Sequence, residues 1–275
     1  MRIGINASFL RKPGTGIGQV TLHFLQKLAE STISDPQSTF VLYTEEPTDM
    51  PLPENFQVRS FLPFWQRDDL IRKVLWERQV AKEAERDGCT AFLSLYQCST
   101  VFQKSSMTHT MVVHDLIPRF FPEYQGNMRQ RFHWRATEKA IRRADHIVAV
   151  SQATADDLVE FGVEREKIAV AHPDTAALFH RMPAPEEEQR VLAGYALASG
   201  YIYHGGGMEV RKNAEGLLRA YQLLKEQEQQ GALTVVPPLV LSGKIFEEGN
   251  RLATPVKKLI QELNLESSVR LLDFV

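Results

Sequence analysis

The amino-acid sequence predicts an α/β fold, a parallel-sheet domain followed by a second, incomplete domain of the same kind. Three observations predict it. Short runs rich in Val and Ile alternate with stretches of helical periodicity, the pattern of buried parallel strands joined by crossover helices. A glycine-rich stretch, PGTGIG, follows the first apolar run, and a triple glycine follows a later one. Between residues 180 and 199 the alternation lapses, and then it restarts.

RIGINA opens the chain as a buried strand, and after PGTGIG the residues Ile17, Val20, Phe24, Leu25 and Leu28 recur on one helical face. TFVLYTE and FQVRSFLP are the next strands. Asp68 to Asp87 is a helix whose apolar side holds Leu70, Ile71, Val74, Leu75 and Val80. TAFLSL and HTMVVHDL follow as strands, Asn127 to Ala144 as a strongly basic helix, and HIVAVS as a strand ending at Ser151. SQATADDLVEFG reads as a capped helix, with Ser151 at the N-cap, Asp156 and Asp157 early, and Gly162 at the stop. KIAVAHP is one more strand, ended by Pro173.

Two prolines and three consecutive glutamates mark residues 180–199 as a linker or irregular crossover. Beyond it YIYHGG is a strand, and Asn213 to Gln230 is a helix with Leu217, Leu218, Tyr221 and Leu224 on one side. PLVLSG is a strand, Leu252, Val256, Leu259, Ile260 and Leu263 form a helical stripe, and VRLLDFV is the last strand. The expected domains are therefore 1–179 and 200–275, with only about three strands in the second.

A chain of 275 residues suits two such domains. Hydrophobic and charged contents of 43% and 24% are those of a globular protein, and a net charge of −2 gives no basic field for nucleic acid. No apolar run approaches the roughly 18 residues of a membrane span, and MRIGINASF lacks the make-up of a signal peptide. Cys89 and Cys98 fit neither a CxxC motif nor a disulfide framework, so both are expected as buried thiols in a reducing, cytoplasmic setting. The basic helix 127–144 is most simply a solvated face, and its minority reading is peripheral contact with the inner face of a membrane.

The chemistry-bearing stretches are loops at the carboxyl ends of strands. Gly14, Gly16 and Gly18 give G-x-G-x-G with Gln19 in the last position, which departs from the dinucleotide fingerprint, and no P-loop is present. Glycines at a helix start let backbone amides approach an anion, although a tight turn needs no ligand. In the second loop Gly205, Gly206 and Gly207 precede Arg211 and Lys212, with Asn213 placed to cap a helix. Two cations beside a helix N-terminus oppose its macrodipole, and a bound anion would resolve the conflict. VVHDL delivers His114 and Asp115 to the end of a buried strand. There is no HExxH, no G-x-S-x-G and no metal-spaced cluster.

Taken in order, GTGIG, VVHDLIPRFFPEY, HIVAVSQATADDLVEFGVEREKIAV and GGGMEVRKN resemble the retaining, nucleotide-sugar-dependent glycosyltransferases of family 4. The resemblance runs along almost the whole chain. It implies a GT-B architecture of two Rossmann-like domains, with the acceptor held mainly by the N-terminal one and the donor by the C-terminal one. By position, Gly16 would lie near the donor diphosphate, His114 beside the transferred sugar as the catalytic residue, and Gly206, Arg211 and Lys212 around the diphosphate. Cations in that place stabilise the leaving charge, so no divalent metal and no cofactor is expected.

Two departures stand out. Many members carry an arginine where this chain has Gly206. The family's pair of glutamates separated by seven residues matches only Glu77/Glu85, in an N-terminal helix, and Glu46/Glu54, in a proline-rich loop. The chain therefore resembles such an enzyme cut within its donor domain, a fragment or a split half with a complementing partner. The implied reaction is transfer of a hexose, mannose-like by motif style, from a GDP- or UDP-sugar to a polysaccharide or lipid-linked glycan. The rival expectations are a non-catalytic partner subunit and, more remotely, a nicotinamide oxidoreductase.

Overall fold

The computed structural model describes residues 1–32, 37–103, 106–175, 177–244, 250–273 and 275. The chain divides into two compact units, Met1–Asp174 and Thr175–Val275. The first contains β1 (Arg2–Asn6), α1 (Gly16–Thr32), β2 (Thr39–Thr44), β3 (Phe56–Ser60), α2 (Asp69–Arg86), β4 (Ala91–Ser94), β5 (Thr108–Val113), α3 (Ile117–Phe120), α4 (Met128–Arg143), β6 (His146–Ala149), α5 (Gln152–Glu160) and β7 (Ile168–Val170). The second contains α6 (Pro185–Gly194), β8 (Ile202–Gly205), α7 (Ala214–Gln229), β9 (Leu239–Ser242), α8 (Val256–Glu262) and β10 (Val269–Leu272).

The seven strands of the first unit pair in parallel in the order β3-β2-β1-β4-β5-β6-β7. Winding reverses between β1 and β4, the switch point at which open sheets hold ligands. Alternate residues of β2 serve opposite faces: Phe40 and Leu42 pack with Leu25 of α1, and Val41 and Tyr43 with Trp76 and Val80 of α2. The second unit is a parallel sheet in the order β10-β9-β8, and its core joins Leu218 and Tyr221 of α7 to Leu239 and Leu241 of β9 and Leu259 of α8. Each large apolar side chain buried in this way contributes about 1.5–3 kcal/mol.

Nine strands fall within the runs read from the sequence and β5 begins one residue before its run, at Thr108; Phe274 of the last run lies outside the described residues. The helix faces are rotated from those that apolar spacing suggests. In α1 the buried stripe is Thr21, Leu25 and Ala29, while Phe24 is 36% exposed. In α2 it is Trp76, Glu77, Val80, Ala81 and Ala84. Leu224 of α7 is exposed, and α8 begins only at Val256 because Pro255 stands at its N-cap.

Residues 180–199, expected as a linker or crossover, belong to the second unit and carry α6. The reason is legible locally: Pro185 opens the helix, and Glu186, Glu187 and Glu188 sit in its first turn, where the macrodipole favours anions. The predicted cap Ser151 accepts the amide of Thr154 at 3.1 Å, and Asn127, at the start of the basic helix, accepts that of Gln130 at 2.9 Å. Among the described residues, no helix is long and apolar enough to cross a membrane.

His109 of β5 is buried, with its Nε2 2.9 Å from Ser94 Oγ and its amide donating to Asp145 Oδ2 at 2.8 Å. Burial lowers its pKa from the usual 6.5 to about 4, although Asp145 opposes the shift. Between those values the unfolded chain binds more protons than the folded one, so stability falls as pH falls. The shift corresponds to about 3 kcal/mol. His109→Gln should shrink the loss of unfolding free energy between about pH 7 and pH 4 by that amount, measured by urea denaturation. An unchanged loss would show that other groups set the acid limb.

Candidate functional site

A polar hub fills the switch point. Asn6, the last residue of β1, is buried; its Oδ1 accepts from Trp76 Nε1 at 3.1 Å and from the Ser8 amide at 3.2 Å. Its Nδ2 donates to Tyr96 Oη at 3.2 Å, just past the end of β4. A buried amide costs stability unless every polar atom is partnered, and here β1, α2 and the β4 loop share that task.

The loop after β4 carries the contacts to His114, which follows β5. The His114 amide donates to Gln97 Oε1 at 3.2 Å, and Gln97 Nε2 donates to the Asp115 carbonyl at 3.2 Å. His114 Nε2 lies 3.0 Å from the Leu95 carbonyl. A carbonyl oxygen only accepts, so Nε2 carries the proton and the neutral ring has its lone pair on Nδ1. The Asp115 carboxylate accepts the Ile117 amide at 3.1 Å and so shapes the turn into α3.

Ser99 leads to a residue that sequence spacing dismissed. The Glu77 side chain is 0% exposed, and its Oε2 accepts from the Ser99 amide at 2.9 Å and from Ser99 Oγ at 2.5 Å. His133 Nε2 of α4 approaches at 3.3 Å, and Lys73 Nζ lies 3.7 Å from Oε1. Burial pushes the Glu77 carboxyl up, but Lys73, His133 and Ser99 together hold it below the usual range. A carboxylate spaced for a helix face gives no sequence signal of partners contributed by two other segments.

In the first glycine loop, Thr15 Oγ1 accepts the Gly18 amide at 3.1 Å and donates to the Lys12 carbonyl at 2.8 Å. Among the described residues, no acceptor meets the amides of Gly16 and Ile17. Ile17 packs against the apolar cluster containing Val113 and Leu116, which flank His114 in sequence, so Gly16 and His114 share one neighbourhood. Beside it lies a cavity of about 230 Å3 whose lining includes Phe9, Arg11, Lys12, Lys73 and Tyr96. Two of its cations are already paired: Arg11 Nε with Glu45 at 2.8 Å, and Lys12 with Asp69 at 3.2 Å.

Gly206, Arg211 and Lys212 belong to the second unit. Gly206 has φ +124°, and a Cβ on Gly243 would stand 2.0 Å from the Gly206 carbonyl oxygen, so the ends of β8 and β9 meet backbone to backbone. Arg211 Nε donates to Glu209 Oε2 at 2.7 Å. Half of the expected conflict with the α7 dipole is thereby met from within the loop, and Glu215 in the first turn adds to this. Lys212 is exposed and has no ion pair among the described residues. Asn213 adopts the left-handed conformation at φ 53° and caps α7 through the Gly216 amide at 3.2 Å. Among the described residues, no group of three His, Cys, Asp or Glu side chains could hold a metal ion.

The two glycines of the first loop differ in kind. A Cβ on Gly18 would lie 2.0 Å from the Lys12 carbonyl oxygen, whereas one on Gly16 meets nothing within 4 Å. Gly18→Ala should therefore cost about 1–3 kcal/mol in urea denaturation, and Gly16→Ala should stay within about 0.5 kcal/mol. Equal costs would contradict this geometry.

The profile of Glycosyltransferase Family 4 matches residues 15–173, more than half of the chain. O-antigen chain mannosyltransferase B of Escherichia coli is 26% identical over 265 residues, covering 88% of this chain and 64% of that protein. Serotype-specific mannosyltransferase WbdA of Escherichia coli is 30% identical over 140 residues, half of this chain and 17% of that protein. This chain thus spans less than two thirds of the length of these relatives. Among solved structures, Anabaena Alr3699/HepE in complex with UDP-glucose matches with a TM-score of 0.63 at 13% identity, over 100% of this chain and 69% of that one. WaaG, a glycosyltransferase involved in lipopolysaccharide biosynthesis, matches with a TM-score of 0.63 at 12% identity, over 100% and 70%. The fold is of the GT-B kind, and the chain belongs to Glycosyltransferase Family 4.

Proposed function

We propose that this chain serves a glycosyltransferase that moves a hexose from a nucleoside diphosphate sugar to a glycan or lipid-linked acceptor with retention of configuration. The observation that carries this is the His114 imidazole, held just past the carboxyl end of β5 beside a glycine loop whose Gly16 and Ile17 amides meet no acceptor among the described residues, in a unit that matches Glycosyltransferase Family 4. The mannosyltransferase relatives favour mannose as the sugar. His114 Nδ1 would accept a hydroxyl of the transferred sugar, and the amides of Gly16 and Ile17 would face the diphosphate. Lys212, with the backbone at Gly206, would stabilise the leaving nucleotide, a task that elsewhere falls to a divalent metal. Arg211 would act there only by exchanging Glu209 for phosphate. The cavity beside Tyr96 is the proposed seat of the acceptor.

The rival reading, a non-catalytic partner subunit, is favoured by one observation, the engagement of Arg211 by Glu209. Transfer from GDP-mannose or UDP-glucose by this chain alone would eliminate it. Lys212→Ala should weaken UDP or GDP binding by about 1–3 kcal/mol in calorimetry. An affinity equal to that of the unaltered chain removes Lys212 from the site.

A membrane-facing surface belongs to the same proposal. Met128 and Phe132 of α4 are 77% and 70% exposed, and Phe64 is 86% exposed. Arg129 lies 3.7 Å from Asp68, which brings the loop bearing Phe64 and Trp65 to the start of this basic helix. Exposed aromatics among arginines suit an anionic bilayer surface. Replacing Met128 and Phe132 together with serine should lower partitioning onto phosphatidylglycerol-containing vesicles about tenfold in sedimentation. Undiminished partitioning rules out α4 as the contact.

A further inference from the structure

We propose that Gln97 and Glu77 are positioning residues that hold the His114 imidazole in its Nε2–H form, so that Nδ1 is the atom offered to a ligand hydroxyl. The assignment of that ligand as a sugar rests on the function proposed above; the positioning itself does not.

The argument begins where the sheet ends. The last paired rung of β4 and β5 is Ser94 with Met111, so β5 runs on to Val113, and the chain to His114, without a strand on that side. The Gln97 side chain takes the place of the missing strand. Its carboxamide accepts the His114 N–H and donates to the Asp115 carbonyl, both at 3.2 Å, an amide pair that imitates the next step of the ladder. The His114 carbonyl is held from another side by Thr154 Oγ1 at 3.2 Å. The backbone of His114 is therefore fixed at both its donor and its acceptor.

The ring is then set by the same loop. The Leu95 carbonyl lies two residues before Gln97 and fixes the ring proton on Nε2 at 3.0 Å. Beyond Gln97 the loop is tied down by Glu77, through both donors of Ser99 and through Thr100 Oγ1 to the Glu77 carbonyl at 3.2 Å. Tyr96 is tied to Asn6. Residues 95–100 thus hang between the end of β4 and a buried carboxylate on α2, and the ring position follows from both anchors. No hydrogen-bond partner meets His114 Nδ1 among the described residues. A ring locked in this way accepts a hydrogen bond at Nδ1, and Nε2 takes no part in proton exchange while the Leu95 bond persists.

The test uses the whole chain with 15N-labelled histidine and long-range proton–nitrogen correlation, the His114 signals being assigned by their loss in His114→Gln. The expected spectrum for the unaltered chain is a single Nε2–H tautomer. Gln97→Met keeps the volume and loses both hydrogen bonds; it should convert His114 to a mixture of tautomers. Glu77→Gln, which keeps the shape of the side chain and loses its charge, should do so in part. With GDP-mannose or UDP-glucose as the probe, Gln97→Met should lower kcat about tenfold or more with KM little changed, since misplacing a group costs the reacting geometry more than ground-state binding. A His114 that stays a single Nε2–H tautomer in both folded variants overturns the positioning, whatever the activity. A tautomer change in a chain that binds neither UDP nor GDP supports the positioning and overturns the function proposed for the site.

Discussion

A buried negative charge governs the first unit. Placing the Glu77 carboxylate out of reach of water costs several kcal/mol, and the cost is offset only while Lys73, His133 and Ser99 remain in place. These partners come from α2 itself, from α4 and from the loop after β4, so one charge forces three segments to keep their relative positions. The nearby Cys98 thiol reports the same field: burial and then the Glu77 charge raise its pKa to about 11, which leaves it an inert thiol. Removing one partner strands the charge, whereas trimming an apolar side chain nearby forfeits only the burial and packing of its own atoms.

From Glu77 the constraint passes to the switch point. Ser99 fixes the loop, Tyr96 in that loop satisfies Asn6, and Asn6 takes the Trp76 N–H of the same helix that carries Glu77. The circuit closes on α2. Glu77, Tyr96, Asn6 and Trp76 are buried polar groups that would be costly if left alone, and Ser99 is partly buried, so none of the four can relax without exposing another to that cost. This is a specific means of holding a loop still at the place where a parallel sheet opens its crevice.

The fold was legible because alternation of Val- and Ile-rich runs with amphipathic stretches survives inspection residue by residue, and each strand lies within one residue of a run so identified. The features that were not legible share one cause: the deciding partner is distant in sequence. Thr21 and Ala29, not Phe24, are buried in α1, whereas apolar spacing favours the larger residue. Glu77 matches a two-glutamate spacing by accident, and its role comes from residues 99 and 133. Gly16 and Gly18 look equivalent in GTGIG, yet only Gly18 meets the Lys12 backbone. His114 was visible from its place in VVHDL, while Gln97, which sets its backbone, carries no motif at all. Arg211 and Lys212 looked like a matched pair, and Glu209, two residues before Arg211, makes them different.

That difference bears on which groups would meet the charge of a leaving diphosphate. Beside His114 and the first glycine loop the groups offered are neutral: amides of Gly16 and Ile17 that meet no acceptor among the described residues, and an acceptor nitrogen on His114. The cations Arg11 and Lys12 of its cavity are committed to Glu45 and Asp69, so a diphosphate there would have to compete with carboxylates already in contact. In the loop of the second unit, Lys212 has no such competitor among the described residues, and Arg211 is paired with Glu209. On the proposed function, His114 Nδ1 suits a sugar hydroxyl, which needs a directed hydrogen bond rather than charge, and the loop amides suit phosphate oxygens. The cationic loop suits the leaving diphosphate, whose charge grows as the glycosidic bond breaks. The charge that grows on a leaving diphosphate would thus be met by Lys212 rather than by the paired cations Arg11 and Lys12.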